Sequence, residues 1–186
     1  MPTYIALLRA VNVGGYGKLS MAALRNLLEE LGYRRVTTYI QSGNAVFDAN
    51  GSTAKIAREL GAALEKHMHA PVGVIVRTPE ELDRIIAGNP FADEAAADGA
   101  RVHVGFLSAP APASAAAGLQ RIVDQYPNRR DRFHLSGHTL YLHLPDGAAD
   151  TKFTAKALDK ILGGAGTARN WNTVLKLREM AARSDP

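Results

Sequence analysis

The sequence predicts an α+β fold of two ferredoxin-like halves, each with helices packed on an antiparallel sheet. In the first half the elements read strand, helix, strand, strand, helix, strand, which is the split βαβ order. The second half repeats most of that order after a loop rich in alanine, aspartate and glycine at residues 89–100. We therefore expect an N-terminal half with a connecting helix at 1–88, and a C-terminal α+β half ending in two helices at 89–186.

The first half is marked by short apolar runs and by two amphipathic helices. Ser20 is an N-cap residue and the loop Asn50-Gly51-Ser52 caps the second helix, and each precedes a stripe of apolar residues at helical spacing. The apolar, β-branched runs are bounded by turn residues, which is typical of strands. They lie at residues 4–8, 36–40, 45–47 and 72–76.

The connecting helix has the strongest local signal. Thr78 and Glu81 form a capping box, with Pro79 at the first helical position. The second half then shows strands and helices but no fourth strand. Its elements are a strand at 102–107, a helix that Ser114 can cap, a hairpin around Ser136-Gly137-His138, a helix carrying Phe153, Ala157 and Ile161, and a last helix from about 170 to 182.

Side-chain alternation constrains both sheets. Tyr4-Ile5-Ala6-Leu7-Leu8 is apolar on both faces, so we expect the first sheet to be covered on both sides. This counts against an RNA-recognition module, which needs an open face of stacking aromatic residues. In the second sheet, alternation places His103, Tyr141 and His143 on one face, with His134 on a nearby strand.

Composition restricts the chemistry. The 186 residues carry a formal net charge of +4 and include no cysteine, which excludes disulfides, thiol nucleophiles and cysteine-ligated metals. His67 and His69 lack a third nearby ligand, and we predict neither a metal nor a cofactor. The first apolar run is far shorter than a membrane span and no cleavage-site pattern follows it, so we expect no membrane partner and a cytoplasmic location.

A glycine-rich stretch, residues 9–18, joins the first strand to the first helix. Glycines let backbone amides approach a ligand, a helix start favours anions, and Arg9 and Lys18 add positive charge. The stretch matches neither the P-loop nor the dinucleotide-binding pattern. It predicts a phosphate or polyanion site; the alternative is a connection whose glycines serve tight backbone geometry.

A second polar segment joins this stretch through the topology. In a split βαβ sheet the first two strands run parallel with the third between them. The end of the first strand and the Gln41-Ser42-Gly43-Asn44 turn should therefore lie at the same edge. Taken alone, the turn is an ordinary hairpin turn.

The segment Thr167–Thr173 supplies a third candidate. Arg169 could bind a phosphate bidentately and Trp171 could stack on a base. The structural alternative is a helix capped by Thr167 or Asn170 with a tryptophan in the core. The basic runs at Arg129-Arg130-Asp131-Arg132 and at Lys152, Lys156 and Lys160 could touch phosphates, but they are also typical of solvated surface.

Three motifs together resemble a known family. They are Ala6-Leu7-Leu8-Arg9-Ala10-Val11-Asn12-Val13-Gly14-Gly15, Tyr39-Ile40-Gln41-Ser42-Gly43-Asn44 and Thr167-Ala168-Arg169-Asn170-Trp171-Asn172-Thr173. In this order they resemble the domain of unknown function 1697 family of uncharacterised bacterial proteins. The resemblance implies two ferredoxin-like halves and no established activity. Members typically carry glycine where this chain has Ala10.

We therefore expect binding of an anionic ligand, a nucleic acid or a nucleotide, at converging loops. An enzyme acting on a small phosphorylated metabolite or nucleotide is the alternative, and a protein-interaction scaffold is a third; no catalytic triad or carboxylate pair decides between them. The ten expected ligand-binding residues are polar residues, glycines and one tryptophan that could stack on a base. They are Arg9, Asn12, Gly14, Gly15, Lys18, Ser42, Asn44, Arg169, Asn170 and Trp171.

Overall fold

The computed structural model describes residues 1–13, 17–164 and 166–182. The chain separates into two compact units. Unit 1 comprises Met1–Ile86 together with Leu175–Pro186, and unit 2 comprises Ala87–Val174.

Unit 1 contains a four-stranded sheet with strand order β2-β3-β1-β4, and every neighbouring pair is antiparallel. Because β3 lies between β1 and β2, those two strands run parallel, as the split βαβ order requires. This confirms the predicted topology. The elements are β1 (Thr3–Leu8), α1 (Met21–Glu30), β2 (Arg34–Tyr39), β3 (Asn44–Asp48), α2 (Thr53–Met68), β4 (Val74–Arg77) and α3 (Pro79–Ala87).

The predicted caps start these helices. Ser20 Oγ accepts from the Ala23 amide at 3.0 Å, and Ser52 Oγ accepts from the Lys55 amide at 3.2 Å. Before α3 the capping box is complete. The Thr78 amide donates to Glu81 Oε2 at 2.8 Å, and the Glu81 amide donates to Thr78 Oγ1 at 3.3 Å. Each cap satisfies amides that the first turn of a helix leaves without a partner.

Both faces of β1, the strand whose apolar pattern predicted cover on both sides, are buried. Tyr4, Ala6 and Leu8 pack into a core cluster with the apolar faces of α1 and α2. Ile5 and Leu7 lie on the opposite face of β1, and both are completely buried. No strand face of β1 is therefore available as an open platform for stacking bases.

Unit 2 repeats the topology of unit 1. Its strand order is β6-β7-β5-β8, and every neighbouring pair is again antiparallel. The elements are α4 (Ala92–Ala97), β5 (Val102–Leu107), α5 (Ala115–Gln125), β6 (Arg132–Ser136), β7 (Thr139–His143), α6 (Ala155–Leu162), β8 (Gly166–Asn170) and α7 (Trp171–Ala182), the last of which continues into unit 1.

The expectation that the second half has no fourth strand is wrong. Residues Gly166–Asn170 form β8, which pairs with β5 from Leu107 opposite Gly166 to His103 opposite Asn170. Glycine, alanine and asparagine are weak strand formers, so local propensity did not reveal it. The strand forms because the edge of β5 offers a row of backbone partners. Three smaller differences are the short helix α4 inside the predicted loop, α6 beginning at Ala155 after Phe153, and Ser114, whose side chain forms no cap hydrogen bond at the start of α5.

The predicted histidine face of the second sheet is also wrong. His103 pairs with Leu142, so it lies on the same face as Leu140 and Leu142, which pack into the core of unit 2. Tyr141 pairs with Val104 and with His134, and these residues lie on the other face together with His143. Alternation fixes the two faces of one strand, but matching faces between strands requires the register.

Candidate functional site

The side chain of Asn12 ties the glycine-rich loop to the hairpin turn. Asn12 Nδ2 donates to the Leu19 carbonyl and to the Gln41 carbonyl, both at 2.8 Å. Asn12 Oδ1 accepts from the Leu19 amide at 2.9 Å. These bonds use both donors of the amide group and close the loop across seven residues. The predicted meeting of the loop and the turn is confirmed.

The turn is held from the strand side as well. The Leu8 amide donates to the Gly43 carbonyl at 2.8 Å. Asn44 is completely buried, and its Nδ2 donates to the Tyr39 carbonyl at 3.0 Å and to Ser42 Oγ at 2.9 Å. Gly43 has φ +78°, and a Cβ there would lie 2.6 Å from Val11 Cγ2. Only glycine fits this position without displacing the loop.

The end of α2 completes a surface that we call the unit 1 rim: residues 9–13, 17–19, 40–44 and 69–73. A Cβ on Gly17 would lie 2.3 Å from Met68 Cε, and the Arg9 amide donates to the Gly73 carbonyl at 2.9 Å. Loop, turn and helix end therefore meet where β1 ends and β4 begins.

The rim concentrates unusual backbone conformations. Five non-glycine residues in the described ranges have positive φ, and four of them lie on the rim. A left-handed residue other than glycine costs roughly 1–2 kcal/mol, and such residues cluster at functional sites when surrounding contacts enforce them. The four are Ala10 (+54°), Asn12 (+58°), Ile40 (+48°) and His69 (+55°).

Cations and apolar side chains share the exposed surface of the rim. Lys18 is exposed, and Arg9 is half-buried with its aliphatic stem over Gly73, whose Cβ would lie 3.2 Å from Arg9 Cβ. Val13 is 60% exposed and Ile40 is 49% exposed. Each is next in sequence to a residue of the Asn12–Gln41 contact. The rim thus offers positive charge beside apolar surface.

The third predicted motif lies in unit 2. Arg169 is buried on β8, where its Nη1 donates to Thr167 Oγ1 at 2.7 Å and to the Ala168 carbonyl at 2.8 Å. Burial lowers the pKa of its guanidinium to about 10. Asn170 Oδ1 accepts from the Thr173 amide at 2.9 Å and caps α7, and Trp171 is 8% exposed.

The ligand-binding roles assigned to these residues stay predictions. For Arg169, Asn170 and Trp171, the described contacts show a structural use, in a strand, a cap and a core. Ser42 and Asn44 hold the turn. Gly14 and Gly15 lie outside the described residues.

Comparison with known proteins places the chain in a family. Residues 1–141 match the family model described as "Protein of unknown function (DUF1697)". The chain belongs to this family. A search of curated proteins finds no match to this DUF1697 protein. Among solved structures, it is similar to a conserved bacterial protein from Streptococcus pneumoniae, with 22% identity, a TM-score of 0.69, and coverage of 96% of this chain and 98% of that one. At this identity the likeness shows the α+β fold alone.

The densest basic run of the DUF1697 protein is internally paired. Arg130 forms an ion pair with Asp146 at 2.5 Å, and Arg129 donates to the Asp150 carbonyl. Arg132 donates to Glu94 and to His143 Nδ1 and lies over the Phe91 ring, 4.9 Å from its centre. These contacts hold the loops and α4 of unit 2, so the arginines of this run form interactions within the protein.

Two further observations concern other classes of site in the DUF1697 protein. Within residues 1–13, 17–164 and 166–182, no group of three or more histidine, aspartate or glutamate side chains could hold a metal ion. Over the same ranges, no helix has both the length and the apolar character needed to cross a membrane.

Proposed function

We propose that this DUF1697 protein binds a phosphate-bearing anion, a nucleotide or a nucleic acid, at the unit 1 rim. The observation that carries the proposal is the Asn12 side chain, which closes the loop through two hydrogen bonds with Leu19 and joins it to the turn through a third, to the Gln41 carbonyl. It holds a strained backbone in place beside Arg9 and Lys18. A surface whose geometry is fixed before the ligand arrives loses less conformational entropy on binding.

The rim divides its residues between positioning and contact. Both amide donors of Asn12 and both of Asn44 already have acceptors within the rim, so these residues position the site. Arg9 and Lys18 are the groups that would contact phosphate oxygens. Val13 and Ile40 offer apolar surface of the kind that the face of a base covers, which favours a nucleotide unit over inorganic phosphate alone.

Isothermal titration calorimetry of the full chain at low salt tests the proposal. The probes are AMP, ATP, a short single-stranded RNA and inorganic phosphate. Lys18→Gln should weaken binding of the nucleotide probes about five- to tenfold, and Arg9→Gln should weaken it further. For the RNA, each variant should reduce the slope of log affinity against log salt concentration by about one, because one fewer counterion is released on binding. Hydrolysis of a probe during the titration would favour the enzyme alternative.

Lys156→Gln is the matched control, because Lys156 is an exposed lysine on α6 in unit 2. It should bind every probe as the unaltered chain does. The proposal fails if no probe binds at low salt, or if Lys156→Gln and Lys18→Gln weaken binding equally. Binding of inorganic phosphate as tightly as AMP would remove the role of Val13 and Ile40.

A further inference from the structure

A polar cleft lies at the end of the unit 1 sheet opposite the rim. Its volume is about 360 Å³, within the range of small-molecule sites. Thr3 at the start of β1, Arg35 near the start of β2 and Thr78 after the end of β4 line it, together with Glu80 on α3 and Ala181 on α7. The rim instead follows the last residue of β1, so the two sites use opposite ends of that strand.

The walls of the cleft are tied together within unit 1. Arg178 on α7 donates to both carboxylate oxygens of Asp83 on α3, from Nε at 2.5 Å and from Nη2 at 2.8 Å. A bidentate arginine–carboxylate pair fixes the relative orientation of its two groups. The α3 and α7 walls are therefore joined in a defined geometry.

Arg35 reaches the cleft through a distortion of its strand. The pairing of β2 with β3 shifts register between Arg34 and Thr37, and Arg35 has φ +50°. Arg35 Nε donates to Asp48 Oδ2 at 2.5 Å, and Thr3 Oγ1 donates to Asp48 Oδ1 at 2.9 Å. Asp48 is 5% exposed, so a buried carboxylate anchors the guanidinium. Bulges of this kind redirect a side chain, and they are frequent next to ligand sites.

Glu80 gives the cleft a fixed negative charge. A hydrogen bond from the Thr78 side chain holds the pKa of the Glu80 carboxyl below its usual range, so it is ionised at neutral pH. Arg35, on another wall, carries a positive charge that its ion pair with Asp48 offsets in part, and Met1 also lines the cleft. A simple anion would meet Glu80, and a simple cation would meet Arg35. Complementarity therefore favours a ligand that carries both charges.

We propose that this cleft binds a small zwitterion, with its ammonium group at Glu80 and its carboxylate or phosphate at Arg35. The site is independent of the anion-binding rim. Thr3 and Thr78 also line the cleft, and their hydroxyls hold its walls, because Thr3 donates to Asp48 and Thr78 accepts from the Glu81 amide.

Titration of the ¹⁵N-labelled full chain, followed by amide chemical shifts, tests the proposal. The zwitterionic probes are 4-aminobutyrate and phosphoethanolamine, which distinguish a carboxylate from a phosphate. The single-charge probes are acetate, inorganic phosphate and ethanolamine. At least one zwitterion should saturate shifts of the Thr3, Arg35 and Thr78 amides at millimolar concentration, and its single-charge counterparts should bind at least about tenfold more weakly.

Glu80→Gln removes one charge from an exposed position and should reduce zwitterion affinity at least about fivefold. Glu65→Gln, at an exposed position on α2, is the matched control and should bind normally. Lys18→Gln should also bind zwitterions normally, which separates this result from the fate of the rim. The proposal is overturned if no zwitterion saturates below about 20 mM, if single charges bind equally well, or if Glu80→Gln leaves the affinity unchanged.

Discussion

Asn12→Asp tests whether one side chain holds the unit 1 rim together. The substitution keeps the shape of the residue and its tolerance of positive φ. It replaces the amide donors, which bond the Leu19 and Gln41 carbonyls at 2.8 Å, with an oxygen that cannot donate. The bond from the Leu19 amide survives, because a carboxylate still accepts.

The expected loss is about 2 kcal/mol, because two hydrogen bonds of about 1 kcal/mol each are replaced by oxygen facing oxygen. Since about 1.4 kcal/mol corresponds to a factor of ten, opening of the loop should become about 30-fold more frequent. Hydrogen exchange of the Leu19 amide measures this directly. The exchange is measured in about 0.5 M salt. At this concentration, attraction between the new carboxylate and Arg9 or Lys18 is screened and does not offset the lost hydrogen bonds.

Asn170→Asp is the matched control. Asn170 acts as a helix cap through its Oδ1, which accepts from the Thr173 amide, and aspartate caps as well as asparagine does. Exchange of the Thr173 amide should therefore change little. If Asn12→Asp leaves Leu19 exchange within about threefold of the unaltered chain, the Asn12 side chain does not hold the loop and the proposed rim loses its scaffold.

Three further outcomes follow from the geometry. Ala10→Gly should stabilise unit 1 by about 0.5–1 kcal/mol, because Ala10 has φ +54°; slower exchange of the β1 amides would show it, and faster exchange would contradict it. Gly43→Ala should destabilise unit 1 by about 2–4 kcal/mol, since its Cβ would lie 2.6 Å from Val11 Cγ2 and 2.7 Å from Leu8 Cβ; an unchanged urea midpoint for the unit 1 amides would refute this. Burial, and then Arg132, lowers the pKa of His143, so the unfolded chain takes up this proton first as pH falls below about 6.5. The urea midpoint of unit 2, reported by Trp171 fluorescence, should therefore fall between about pH 7 and pH 5. His143→Gln should reduce that slope without abolishing it, because burial also lowers the pKa of His103 in the same unit.

Local signals were sufficient for much of the fold. Ser20, Ser52 and the Thr78–Glu81 box satisfy helix amides in the way their spacing predicts. Strand β8 was missed because Gly166–Asn170 forms a strand through its pairing with β5 and not through local propensity. His103 was assigned to the wrong face because the register between β5 and β7 is a tertiary property.

The sequence located the polar residues of the rim better than it predicted their use. Asn12 and Asn44 were expected to offer hydrogen bonds to a ligand, yet their donors bond backbone and hydroxyl oxygens of the protein itself. A polar residue in a turn has the same sequence signature for either use. The cleft at Arg35 had no signal at all, because a bulge within an otherwise ordinary strand is visible only in the pairing.

The repeat within the chain provides an internal comparison for the rim. In unit 1 the Leu8 amide donates to the Gly43 carbonyl at 2.8 Å, and in unit 2 the Leu107 amide donates to the His138 carbonyl at 2.9 Å. Gly73 lies against Arg9, and Gly164 lies against Ser108 in the corresponding place. The shared topology therefore forms with a serine where unit 1 has Arg9. Because the fold does not require a cation at this position, Arg9 supports the proposal that the unit 1 rim binds an anion.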